Sequence, residues 1–354
     1  MHIYAPISYT LLLIFWSFTM KYTKADVPSK HFPDFKASLP ELTGKTFAVT
    51  GTTSGTGRVA AFTLAEKGAR VLMLNRKSDR SARILSEIKA QYPNAEVFGI
   101  DCDLQSFESV QAAADQILQE HPEGLYALIN NAGIMAMPDE ATLDGYDVQM
   151  QTNHLSHFLL TRELYPLLQK GAEQHGDARI VNHSSIARLG SKRLEAKYLE
   201  QNGGNLGGNG SSMMFNGARW VRYSQTKLAN AAFTAALHSK LTAAQSKVKA
   251  LVAHPGFANT ELQVTTNKAG GMSGWWSLFT KYVSQSPEDG TLGILSCAVL
   301  PEAQSGEFWG PGSGMMAGKG EAKPFALESN CTAQETIDLI WSKSCEAIGK
   351  PFEI

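Results

Sequence analysis

Tyr223 and Lys227 lie four residues apart in the stretch YSQTK. On a helix that spacing puts both side chains on one face, a turn apart. An unperturbed tyrosine has a pKa of about 10 and is a poor base at neutral pH. An ammonium beside it stabilises the phenolate and lowers that value, so the pair could exchange a proton with an alcohol or carbonyl oxygen. The spacing is common by chance, and its partners decide its meaning. Ser185 ends the apolar run ARIVNHSS, at the edge where ligands bind in open α/β sheets, and its hydroxyl could orient a substrate carbonyl. Its neighbour Ser184 is the alternative. Asn153, in QTNHLSHF, sits within a helical pattern, where asparagine is a mediocre former. It is either a solvated or locally bonded residue, or a fixed amide that organises water and Lys227.

A second group with chemical potential lies upstream. TGTTSGTGR, residues 50–58, follows an apolar run and opens a helical pattern. Gly51, Gly55 and Gly57 are spaced G-x-x-x-G-x-G. This suits either a plain strand-to-helix turn or a cradle whose helix N–H groups face a dinucleotide pyrophosphate. The end of the next strand separates the nicotinamide cofactors, because a carboxylate there binds the 2′-hydroxyl of NAD and repels a 2′-phosphate. Asn75 stands at that place, followed by Arg76 and Lys77. Arg76 can meet a phosphate through two parallel hydrogen bonds, with no carboxylate to oppose it. NADP, as NADPH, is therefore favoured over NAD; the alternative is ordinary solvated basic residues after a strand.

Positioning these groups requires alternating strands and helices. Apolar runs at 46–50, 69–75, 95–104, 125–133, 178–185 and 248–256 read as strands. Helical patterns lie at 58–67, 81–91, 110–120 and 148–168, the first closed by Gly68 and the second by Pro93. The strands are continuously apolar, as strands covered on both faces are. The rhythm implies right-handed βαβ units. The fold class is α/β, a Rossmann-type doubly wound parallel sheet with helices on both faces, in one domain spanning 44–349. Two later helices carry start signals, Ser286-Pro287-Glu288-Asp289 and the capping box Thr332-Ala333-Gln334-Glu335. EQNGGNLGGNGSS, at 200–212, breaks the rhythm inside an insertion at about 186–220. A flexible insertion is favoured there over a dedicated substrate lid.

With 354 residues and a formal net charge of −1, the chain has no global basic field for nucleic acid. Cys102, Cys297, Cys331 and Cys345 form no C-x-x-C pair and read as reduced or core cysteines. His254 reads as a structural residue at a strand end, with nothing near it to complete a metal set. The extension 1–43 carries an apolar stretch at 4–20, followed by Lys21 and Lys24. That stretch suits a membrane anchor with the main domain on the cytosolic side. A start at Met20 would remove it, and a cleaved signal is a third alternative. The expected localisation is intracellular, either cytoplasmic or membrane-anchored.

In their order, the motifs TGTTSGTG, Asp103-Leu104, NNAG (130–133), Asn153, NHSS, YSQTK and PGFANT (255–260) resemble the classical short-chain dehydrogenase/reductase superfamily. LINNAGIM, DGYDVQMQTNHLSHFLLTREL and the late GEFWGP lean toward its retinol-dehydrogenase-like and protochlorophyllide-reductase-like members. The resemblance implies an oxidoreductase that interconverts an alcohol and a carbonyl of a small-molecule substrate. In it Tyr223 would exchange the proton, Lys227 would lower the tyrosine pKa and bind ribose, Ser185 would hold the reacting oxygen, and Asn153 would support a proton relay. Gly51, Ser54, Gly55, Gly57 and Arg76 would line the pyrophosphate and 2′-phosphate, Asp103 the adenine, Asn131 the adenosine ribose and Thr260 the carboxamide. The interval from Ser185 to Tyr223 is longer than the classical pattern. Trp275, Trp276, Phe279 and Tyr282 fall where the family carries its lid, and form either an apolar substrate wall or ordinary packing. A homo-oligomer is left open. A non-catalytic NADP-binding scaffold or redox sensor on the same fold is the alternative reading. An extended-type epimerase would need G-x-x-G-x-x-G, which the loop lacks.

Overall fold

The computed structural model describes residues 27–210, 217–258, 260–271, 284–312 and 318–354. The apolar stretch 4–20 and the aromatic residues Trp275, Trp276, Phe279 and Tyr282 lie outside them. All six expected strands form: β1 (Thr46–Thr50), β2 (Arg70–Asn75), β3 (Val97–Asp101), β4 (Ala127–Asn130), β5 (Ala178–His183) and β6 (Val248–Ala253). Two more follow, β7 (Phe308–Pro311) and β8 (Ala322–Phe325). The sheet order is β3-β2-β1-β4-β5-β6-β7-β8, parallel throughout except for the antiparallel β7–β8 pair. β7 and β8 escape the sequence pattern because each has four residues including a proline, which reads as a break. Pro324 is tolerated because β8 is an edge strand.

β1, β4 and β5 are buried at every position, as continuous apolar runs require. β3 departs from that expectation. Only Val97 and Ile100 are buried in it, Phe98 is 39% exposed, and it stops at Asp101 rather than at 104. The carboxylate of Asp103 accepts from the Gln105 N–H at 3.0 Å and turns the chain there.

A short helix, Phe32–Ser38, precedes β1, and the first of the expected helices, Gly55–Glu66, begins three residues before its expected start, because the loop glycines form its first turn. The fourth helical pattern runs further, from Val148–Met150 through a π-helical segment, Gln151–Leu155, into Ser156–His175. It ends where Gly176 takes a left-handed φ of 86°. Ser286 caps Pro287–Val299 as expected, accepting from the Asp289 N–H at 3.0 Å. The second capping signal fails: Ala333 precedes Gln334–Ile348 with no side-chain cap, and Thr332 closes a separate short helix, Ser329–Thr332.

Each sheet face carries its own core. One gathers Val110, Leu160, Phe233 and Ile340 from the helices Phe107–Glu120, Ser156–His175, Ala218–Ala243 and Gln334–Ile348. The other gathers Leu64, Ile88 and Leu295 from Gly55–Glu66, Asp79–Gln91 and Pro287–Val299. Among the described residues, no helix is long and apolar enough to cross a membrane. The described part of the Gly/Asn-rich insertion is pinned, contrary to the flexible segment expected. Asp139 Oδ2 accepts from the Leu206 and Gly208 N–H groups at 2.8 and 2.7 Å, and the Arg222 guanidinium donates to both carbonyls.

The helix Ser156–His175 approaches the sheet closely at Gly171, where a Cβ would run into the Leu125 carbonyl. Neither backbone can yield without separating helix from sheet. Gly171→Ala is expected to lose about 1–3 kcal/mol of stability in urea unfolding; an unchanged midpoint would show that the helix can move.

Candidate active site

β5 ends at His183, and the carbonyl of that residue anchors the helix Ala218–Ala243. It accepts from Lys227 Nζ and from Asn230 Nδ2, each at 3.0 Å. Ser184 Oγ donates to the Lys227 carbonyl at 2.7 Å, which spends its hydroxyl on holding the helix. Ser185 lies at the mouth of the strand, near enough to the Tyr223 phenol to favour its ionised form. Its Oγ also accepts from the Ala187 N–H at 3.2 Å, leaving its own proton to donate. Between the two serines, the geometry brings Ser185 to the phenol.

Asn153 is fully buried inside the π-helical segment. Its amide accepts from the Ile134 N–H at 2.8 Å and donates to the Ile134 carbonyl and to Thr226 Oγ1, each at 2.9 Å. A Cβ on Gly133 would stand 3.1 Å from Asn153 Oδ1 and 3.4 Å from Lys227 Nζ, so glycine there keeps the amide and the ammonium close. Tyr223 packs edge-on against Trp220, 5.9 Å between ring centres, in a small apolar cluster with Met135 and Ala136. The four residues expected to act together therefore converge at the C-terminal edge of β5.

The electrostatics differ from the expectation. Burial pushes the Tyr223 phenol up to about 12, with the Ser185 side chain pulling the other way. Burial also pushes the Lys227 ammonium down to about 7. Lys227 Nζ stands 5.7 Å from the centre of the tyrosine ring, and its hydrogen bond goes to a carbonyl. Desolvation by burial is the leading cause at both groups.

The glycine loop lies beside this cluster. Gly51 has φ 72° and Gly55 φ 55°, both left-handed. A Cβ on Gly51 would meet the Ala132 Cβ at 2.8 Å, and one on Gly57 would run into the Gly51 carbonyl and the Asn131 amide. These two glycines are thus required by the protein's own close packing. Gly55 faces Thr260, whose Cβ and Cγ2 lie 3.2 Å from the place of its missing Cβ. Ser54 is the N-cap in extended conformation and its side chain caps nothing, which leaves the first-turn N–H groups without a side-chain acceptor. This arrangement fits a pyrophosphate. Arg76 is exposed, with no ion pair among the described residues.

Two residues near the cradle are spent on structure. The Asn131 amide donates to the Thr50 carbonyl at 2.9 Å and accepts from Thr56 Oγ1 at 2.8 Å, with His183 Nδ1 3.1 Å away. Asn75 is buried and pairs with Thr52 through both amide atoms at 2.8 Å, so it ties strand to loop. His254 is structural as expected: its Nδ1 accepts from the Gly256 N–H at 3.1 Å, and its ring packs on Phe308 and Phe325. Sequence reasoning missed Thr226, Asn230, His183 and His157. Thr226 and Asn230 did carry a signal, since three- and seven-residue steps from Tyr223 keep to one helix face.

Residues 45–199 match the family model described as short chain dehydrogenase. Retinol dehydrogenase 12 of Mus musculus is 31% identical over 315 residues, covering 88% of this chain and 89% of that protein. The chain belongs to the short-chain dehydrogenase/reductase family. It is an oxidoreductase close to the retinol-dehydrogenase-like members. An uncharacterised oxidoreductase of Schizosaccharomyces pombe is 36% identical over 244 residues, 68% of this chain and 67% of that one. Among solved structures, an uncharacterised protein of Mycobacterium paratuberculosis superposes with a TM-score of 0.69 at 29% identity, covering 93% of this chain and 100% of that one.

Because the folded-state pKa of Lys227 lies below its ordinary 10.5, the unfolded chain binds more protons between about 7 and 10.5. Stability should therefore rise with pH across that window. The nucleotide-free protein is expected to gain on Lys227→Met by at most about 1.4 kcal/mol per pH unit. Urea unfolding at several pH values checks this, and a pH-independent gap would mean that Lys227 keeps its charge.

Proposed function

We propose that the protein is an NADP-dependent oxidoreductase that interconverts an alcohol and a carbonyl, running as a reductase with NADPH. The supporting observation is the convergence of Tyr223, Lys227, Ser185 and Asn153 at the sheet edge next to the glycine loop. Gly55, Ser54 and Thr260 would hold the dinucleotide there, with Arg76 on the 2′-phosphate. The reduced nicotinamide supplies the hydride.

The chain's own residues handle the oxygen and the proton. Ser185 Oγ donates to the substrate oxygen and sets it beside the phenol. Tyr223, kept protonated by burial, delivers its proton from Oη as charge develops on that oxygen. Lys227, with a pKa of about 7, returns a proton to the phenolate. Asn153, held by Ile134 and Thr226, keeps the Lys227 side of the relay in place. A phenol held at about 12 is protonated at neutral pH, the state from which a proton can be delivered. Met135, Ala136, Trp220 and the partly buried Leu262 form an apolar wall beside Tyr223. Such a wall suits an apolar carbonyl compound, and retinol, named in the mouse relative, is an apolar alcohol.

Tyr223→Phe is expected to cut NADPH oxidation by at least about a hundredfold while NADPH binding, read by fluorescence titration, is retained. Unchanged turnover would defeat the reading and favour a non-catalytic scaffold. Arg76→Glu is expected to raise KM for NADPH at least about tenfold with little change for NADH. Equal effects on both would remove Arg76 from the phosphate site.

A further inference from the structure

Arg222, immediately before Tyr223, is 1% exposed and holds three separate segments with one guanidinium. Nη1 donates to the Leu206 and Gly208 carbonyls of the insertion at 3.2 and 2.8 Å, and Nη2 to the Met137 carbonyl at 3.1 Å. Its carboxylate neighbours are Asp147, 3.2 Å from Nε, and Asp139, 3.6 Å from Nη1, both buried. Asp139 in turn accepts from the insertion's backbone, and Asp147 Oδ1 accepts from the Gln149 and Met150 N–H groups at 3.1 and 2.9 Å.

This cluster is poorly built for stability. Desolvating buried ion pairs commonly offsets their attraction. Among the described residues, Arg222 Nε, Asp139 Oδ1, Asp147 Oδ2 and Gln149 Oε1 also lack hydrogen-bond partners, since the Arg222–Asp147 contact is close but not aligned for one. What the cluster does achieve is registration. Met137 lies three residues beyond Ile134, whose backbone N–H and carbonyl hold the Asn153 amide. Asp147 caps the turn that leads directly into the π-helical segment carrying Asn153. Arg222 therefore holds, from the helix that presents Tyr223, the two segments that lead to Asn153: the one through Ile134, which bonds its amide, and the one through Asp147, which precedes it in the chain.

We propose that Arg222, with Asp147 and Asp139, is a positioning device that sets Asn153 against Tyr223 and Lys227, and that the 200–210 insertion is its outer closure. This rests on the proton relay proposed above. The device leaves the glycine cradle alone, so its loss should separate turnover from nucleotide binding.

The test compares Arg222→Gln, Arg222→Lys and the double variant Arg222→Gln/Asp147→Asn, which keeps the experiment alive where the single substitution strands a buried carboxylate and fails to fold. In the full-length protein, Arg222→Gln is expected to lower kcat at least about tenfold, with the NADPH Kd within about twofold and partial rescue by Arg222→Lys. Amides in 134–137 and 147–155 should exchange at least about tenfold faster while 50–58 stay protected. A folded variant with wild-type kcat, or one in which kcat, NADPH affinity and protection all fall together, overturns the proposal. If the wild-type protein reduces no carbonyl, the proposed function fails, and hydrogen exchange alone decides: selective loosening at 147–155 supports the device, and unchanged protection there overturns it.

Discussion

The Asn131 amide is the interaction on which the site depends. It ties the end of β1 to the first turn of the glycine-loop helix, through the Thr50 carbonyl and the Thr56 hydroxyl, and it sits 3.1 Å from His183 Nδ1 at the end of β5. The carbonyl of that same histidine then holds Lys227 and Asn230. One side-chain amide and one histidine thus connect the glycine loop to the helix that carries Tyr223 and Lys227 across three strands. A shift of either end would be felt at the other, because every link is a buried hydrogen bond of 2.8–3.1 Å.

Burial sets the chemistry of this region as firmly as contact does. It drives His183 down to about 3 and His157 down to about 4, the neighbouring Lys227 acting in the same direction. Both histidines are therefore neutral at ordinary pH and serve as hydrogen-bonding struts. Thr50 shows the use made of this: its Oγ1 accepts from the Asn131 and Ala132 N–H groups at 3.0 Å and meets His157 Nε2 at 2.9 Å. With these histidines neutral, Tyr223 and Lys227 are the groups of the expected relay that can exchange a proton. Their environment, rather than their four-residue spacing, determines which of them holds the proton.

Periodicity was sufficient for the parallel core and insufficient at its margin. Six strands could be read because continuous apolar runs reflect burial on both faces, while β7 and β8 could not, being four residues long and interrupted by proline. The Thr332 signal had the right residue types for a capping box, yet the chain gave that threonine to the preceding helix, since a local motif competes with tertiary packing at Cys331 and Ile340. The Gly/Asn-rich stretch has a linker's composition, but two buried charges from distant positions, Asp139 and Arg222, take up its backbone groups. No local pattern could foretell a partner so far along the chain.

The sequence by itself determined the fold class, the family and the residues that meet at the candidate site, because glycine spacing, strand rhythm and the Tyr223–Lys227 interval are local properties. Tertiary structure decided what those residues are used for. It assigned Asn75 and Asn131 to bracing and Ser184 to the helix backbone. It set Ser185 against the phenol, and it reversed the expected effect on Tyr223 by burying phenol and ammonium together. Hydrogen-bond partnership and desolvation depend on which atoms surround a group, and that information exists only once the chain has folded.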